Sequence, residues 1–142
     1  MYSQLTLKDR IKVRSALAFT WFALAGAGFG GAFLTPQTVA AEQGDLIPII
    51  SSVVILIASL IGFFSSILNK WQIEWIASWF AAAGLIVYVS TIWFITFTTT
   101  PSRLQQAFVL TAAIGFILYR IAFCATHARK LRKEHYLKEY LK

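Results

Sequence analysis

Cysteine, histidine, methionine and proline are nearly absent from this chain. Its 142 residues hold one cysteine, one methionine, two histidines and three prolines. A single thiol, Cys124, excludes an intramolecular disulfide. Both histidines, His127 and His135, stand near the C-terminal end. No histidine pair is therefore placed at membrane depth to hold haem. Cys124 and His127 share a helix face, but two ligands do not make a zinc site. No glycine-rich loop follows a strand, no carboxylates are paired, and no nucleophile has a base at hand. The expectation is a protein that is not an enzyme and has no cofactor or metal. Charge is scarce too, at 13% of residues. Soluble domains carry about 25%, so an ordinary soluble fold is excluded. The charge that exists is lopsided, with 13 Lys and Arg against six Asp and Glu, a net +7. Those basic residues flank long apolar runs instead of covering a polar face, which argues against a nucleic-acid partner.

Apolar sequence is what the chain has in quantity, 58% of residues with a mean hydropathy of +0.66. A bilayer core of about 30 Å needs roughly 20 apolar residues as a helix. Four stretches meet that length: 15–34, 46–68, 71–98 and 104–126. Barrel strands, the other solution in lipid, alternate over about 10 residues, and these runs do not. The expected fold class is all-α: a polytopic integral membrane protein, a four-transmembrane-helix bundle forming one membrane domain. A short basic, amphipathic segment (1–14) precedes it and a basic helical tail (127–142) follows. The connections are 35–45, 69–70 and 99–103. Thr6-Leu7-Lys8-Asp9 reads as a capping box opening a short helix before the first span. Asp45 is placed to cap the second span, with Pro48 in its first turn. Asn69 suits the left-handed conformation that ends that span, and Thr100-Pro101 starts the fourth.

Lys and Arg in short loops set orientation. Lys8, Arg10, Lys12 and Arg14 precede the first span, Lys70 lies in the second connection, and Arg129, Lys130, Arg132, Lys133, Lys138 and Lys142 follow the last. The opposite side has Arg103 with Glu42 and Asp45. Both termini are therefore expected in the cytoplasm, with the protein in the cytoplasmic (inner) membrane.

Helices associate in lipid through small residues that allow close approach. Gly26 and Gly30 form a GxxxG pair; Ser59, Gly62 and Ser66 line the second span, Ala77 and Ala81 the third, and Ala107, Thr111 and Gly115 the fourth. These seams serve either the bundle itself or contacts between copies, with Gly26 and Gly30 the leading pair for the latter. Trp71, Trp75 and Trp79 make one stripe, Trp71 and Trp75 reading as interface anchors, with Trp93 and Trp21 as anchors at other depths. Glu74 and Arg120 are the charges inside spans, and antiparallel helices allow them to face each other. Both are near enough to an interface to snorkel, and Lys70 is a local partner for Glu74. A structural role is favoured over an ion path, which places charge nearer the midplane. The basic tail, with Arg129, Lys130, Arg132 and Lys133, reads as attraction to anionic lipid headgroups.

Several features together resemble the small four-span, holin-like membrane proteins of actinobacterial phages. They are the Trp71-Gln72-Ile73-Glu74-Trp75 entry to the third span, Ala83-Gly84-Leu85 and Tyr88 within it, the Arg103-Leu104-Gln105-Gln106-Ala107 entry to the fourth, and Tyr119-Arg120 before the basic tail. The likeness covers about the last half of the chain. It implies a protein that self-associates in the cytoplasmic membrane and opens lesions that release a cell-wall hydrolase. The alternatives are a non-catalytic accessory subunit of a membrane complex and a phage protein that excludes superinfection. A symmetric transporter or channel is disfavoured by the lack of midplane charge or broken helices.

One feature competes with the first span. Basic residues, an apolar stretch and Val39-Ala40-Ala41 resemble a cleavable signal. The stretch exceeds the 7–15 residues of such signals, and its glycines suit a packed helix. N-terminal sequencing of membrane-extracted protein should return residues preceding position 42. A start at Glu42 would leave three spans.

Overall fold

Asn69 is where the chain reverses most tightly. Its φ is 58°, in the left-handed region that asparagine tolerates better than most residues. The Lys70 N–H donates to the Ser65 carbonyl at 2.9 Å and the Asn69 N–H to the Ser66 carbonyl at 3.3 Å. These two bonds are a Schellman cap, which satisfies helix-end carbonyls that lipid cannot. The Lys70 carbonyl then accepts the N–H groups of Ile73 and Glu74, both at 3.1 Å, and starts the next helix.

The computed structural model describes residues 7–33, 46–98 and 101–140. Helix α1 spans Leu7–Phe33, α2 Leu46–Ile67, α3 Trp71–Thr98 and α4 Leu104–Tyr140, with a 3₁₀ turn at Pro101–Arg103 leading into α4. Each holds a segment long and apolar enough to cross a bilayer. The chain is an all-α, multi-pass membrane protein. α1 is one unbroken helix rather than a short helix followed by a span, because residues 7–15 contain neither Gly nor Pro to interrupt it. Thr6, Pro36, Val39, Ala40, Ala41, Glu42, Asp45 and Thr100 lie outside the described residues.

The helices are arranged inside-out relative to a water-soluble bundle. α2 buries Pro48, Ser51, Ser52, Ser59, Gly62, Ser65 and Ser66. It exposes Ile47, Ile50, Ile57, Ile61 and Phe64. The hydroxyls of Ser51, Ser65 and Ser66 donate to the carbonyls of Pro48, Gly62 and Phe63 on their own helix. Small residues inside and large apolar residues outside are what hydrocarbon solvent selects.

Packing runs in chain order, up and down. α1 lies along α2, α2 along α3 and α3 along α4. Among the described residues no Cα of α1 comes within 8 Å of a Cα of α4, so the fourth edge is open. Glycines set the close approaches. A Cβ at Gly28 would stand 2.6 Å from the Leu56 backbone nitrogen, one at Gly31 would collide with the Ser52 hydroxyl, and one at Gly84 would meet Ile55 at 2.8 Å. Trp21, Leu24, Ile55, Ala81, Leu85 and Ile117 belong to the central core, which draws on all four helices.

Substitution at Gly28 therefore separates α1 from α2, whereas Gly26 has nothing within 4 Å of its Cβ position. Thermal unfolding in detergent should show Gly28→Val destabilised by about 1–3 kcal/mol, the usual range for overpacking. Gly26→Ala should leave the stability unchanged or raise it by about 0.5–1 kcal/mol, the helix advantage of alanine over glycine.

Candidate functional site

The most unusual chemistry in the bundle lies one turn into α3. Glu74 is 2% exposed and Arg120 of α4 is 5% exposed. The Arg120 Nε donates to Glu74 Oε1 at 2.7 Å and its Nη2 to Oε2 at 2.7 Å. This bidentate fork is the strongest geometry available to a carboxylate. Trp21 of α1 adds a third donor, its Nε1 reaching Oε1 at 3.3 Å. The indole lies flat against Gly62 of α2, where a Cβ would stand 2.5 Å from the ring. One residue from each helix thus meets at a single carboxylate or at the ring that serves it. The Ser78 hydroxyl donates to the Glu74 carbonyl at 2.8 Å, and the Arg120 guanidinium carbon stands 5.4 Å from the centre of the Phe123 ring.

Glu74 does not snorkel; its carboxylate turns inward to α4. Lys70 approaches it through the backbone, by the carbonyl that accepts the Glu74 N–H. Trp21, expected as an anchor at another depth, is completely buried instead, its indole N–H turned to the Glu74 carboxylate inside the bundle. Leu17, Trp21, Leu24 and Gly28 make one helical stripe, but the small residues of α1 offer other faces as well, and the sequence alone does not choose among them.

The small-residue seams divide. Ser59, Gly62, Ser66, Ala77, Ala81 and Ala107 are buried within the bundle. Thr111 and Gly115 are exposed, since residues four apart advance by more than a full turn and wind off the buried face. Thr111 still accepts a hydrogen bond from the Trp93 indole at 3.1 Å and donates to the Ala107 carbonyl. Gly26, Gly30 and Gly115 have nothing within 4 Å of their Cβ positions.

Trp71 is half-buried and meets His127 edge-on, with ring centres 5.5 Å apart. Trp75 is exposed, and Trp93 is half-buried between Phe97 and Phe108. Arg129, Lys130 and Arg132 are exposed on α4; the side chain of Lys133 lies outside the described residues. Lys12, Lys70, Arg129 and Lys130 all belong to the same end of the up-and-down bundle.

No family model, curated protein or solved structure matches the chain. Function must therefore be argued from this geometry.

The ion pair makes a stability prediction. Glu74→Gln leaves the Arg120 charge buried without its counterion, a loss of about 3–5 kcal/mol in comparable interiors. Glu74→Gln combined with Arg120→Met removes the charge as well and should recover most of that loss. Unfolding midpoints of the two variants in one detergent check the order.

Proposed function

We propose that this protein is a holin-like lesion former. It self-associates in the cytoplasmic membrane with both termini inside, and it is not an enzyme. The observation that carries the reading is the outward glycine face of α1. Gly26 and Gly30 form a close-approach pair, and no part of the chain's described structure occupies it. Intramolecular packing of α1 uses Gly28 and Gly31 instead. A glycine costs a helix stability relative to alanine unless something else needs the space it leaves. A second helix in lipid needs that space, because backbones associate there by approaching closely.

Two further features support the same reading. The central chemistry is used up in holding helices together: both Glu74 oxygens accept hydrogen bonds from neighbouring helices. Apart from Arg103 and the buried Arg120, the basic residues gather at one end of the bundle, which by the positive-inside rule is the cytoplasmic one. Lesion formation asks for little beyond helices that exchange partners and an orientation fixed by charge. The resemblance in the second half of the sequence points the same way.

Induced expression in a bacterium carrying a potential-sensitive dye tests the proposal. The parent should collapse the membrane potential abruptly after accumulating. Gly26→Ile with Gly30→Ile should delay or abolish the collapse while leaving the unfolding midpoint of the purified protein within a few degrees. Harmless accumulation of the parent would refute the lesion reading, and a distinct membrane protein recovered with it would support an accessory role instead. A fluorescent-protein fusion at the C-terminus should light up, as required for a cytoplasmic tail.

A further inference from the structure

The open edge of the bundle is a groove. It has a volume of about 290 Å³ between α1 and α4, walled by Val13, Ala16 and Thr20 on one side and Phe116, Tyr119 and Phe123 on the other. It runs about 10 Å along both helices, from the rise per residue. Its surface is almost wholly apolar, with Arg120 at its inner side. At one end the groove meets the basic end of the bundle. Lys12 and Arg14 flank Val13 on α1. Lys130 stands seven residues beyond Phe123, two turns along the same stripe of α4. Lys12 and Lys130 are exposed, and the buried Nε of Arg14 has no hydrogen-bond acceptor among the described residues.

We propose that this groove binds an anionic phospholipid, with one acyl chain between α1 and α4 and the phosphate gathered by Lys12, one turn before Ala16, and Lys130. The charges select the headgroup, because cations at a bilayer surface favour anionic over zwitterionic lipid. The walls select a chain over a helix. Three aromatic rings on α4 hold a helix backbone away, and close backbone approach is what drives helix association in lipid. A flexible hydrocarbon chain does not meet that obstacle. The lipid site stands independently of the lesion reading, since it concerns a different face of α1 from Gly26 and Gly30.

The test uses the full chain, purified in a nonionic detergent and stripped of lipid. It is titrated with dioleoyl phosphatidylglycerol or dioleoyl phosphatidylcholine, reading the unfolding midpoint and, by native mass spectrometry, the lipid retained. The expected result is one phosphatidylglycerol held per chain, a raised midpoint, and at least about a tenfold preference over phosphatidylcholine. Ala16→Phe fills the groove and should abolish retention. Lys12→Gln with Lys130→Gln should lower the preference about tenfold, and both positions are exposed, so that variant folds whether or not Ala16→Phe does. Equal retention of the two lipids overturns the proposal, as does an unchanged preference in the double Gln variant. A loss of oligomer mass in Ala16→Phe with lipid retention intact would assign the groove to a second copy and overturn it equally.

Discussion

Hydrocarbon gives no reward for bringing one leucine against another. A helix leaving lipid for another helix exchanges one apolar neighbour for an equivalent one. What remains to hold the bundle is close backbone approach and polar contact, and both are read directly from where the residues lie. Glycine and serine face inward on α2, while its isoleucines and phenylalanine face outward. The same constraint explains why serine and threonine hydroxyls so often donate to a carbonyl one turn earlier on their own helix, as Ser78, Thr91 and Thr96 do. No water is present in the core to take that bond.

Against that background the Glu74–Arg120 pair supplies direction. A charged residue inside a membrane helix is costly, up to about 2.5–3.5 kcal/mol at the helix centre on insertion scales and less toward its ends. Two opposite charges joined by two 2.7 Å bonds offset much of that cost only in one register. A shift of α3 against α4 by a single residue would separate the fork from its carboxylate. The pair therefore fixes alignment more than it adds stability, in line with the modest net worth of buried ion pairs. Trp21 extends the same alignment to α1, and Gly62 allows it by removing the side chain that would stand where the indole lies. The four helices are thereby keyed to one carboxylate, while the α3–α4 contact at the other end rests on the Trp93–Thr111 bond and the aromatic rings around Trp93.

Much of the fold could be read before any coordinates. Span positions follow from run length, and the turn at Asn69 from one residue's tolerance of positive φ. That Glu74 and Arg120 can face each other follows from antiparallel helices with short connections. The rotation of α1 was not legible. Its glycines and alanines from 23 to 32 present small residues on more than one face, so GxxxG at Gly26 and Gly30 and the pair Gly28 and Gly31 compete on local grounds. The choice is made by Trp21, seven residues before Gly28, whose polar edge seeks the carboxylate on α3. That carboxylate is 53 residues away in sequence, and nothing local announces it. The winding of Ala107, Thr111 and Gly115 off the buried face was predictable from helical pitch alone, because an i+4 stripe drifts where a mixed i+3, i+4 stripe does not.

Serial packing has a mechanical consequence. Each backbone contact joins helices adjacent in the chain, and the α1–α4 edge carries none among the described residues. Separating α1 from α4 therefore breaks no close backbone approach; it strains the Trp21 bond to Glu74, which at 3.3 Å is the longest of the three on that carboxylate. Loss of that one bond would leave the Glu74–Arg120 fork intact and α3–α4 still aligned. α1 would stay fastened to α2 at Gly28 and Gly31, and α2 to α3 where Gly84 meets Ile55, so only the α1–α4 edge would open. The lesion former proposed above would begin to exchange partners at that edge, where the helices meet without a close backbone approach among the described residues. An acyl chain bound there as proposed would fill that edge while its headgroup spans the basic ends of α1 and α4, so lipid would set how readily the edge opens.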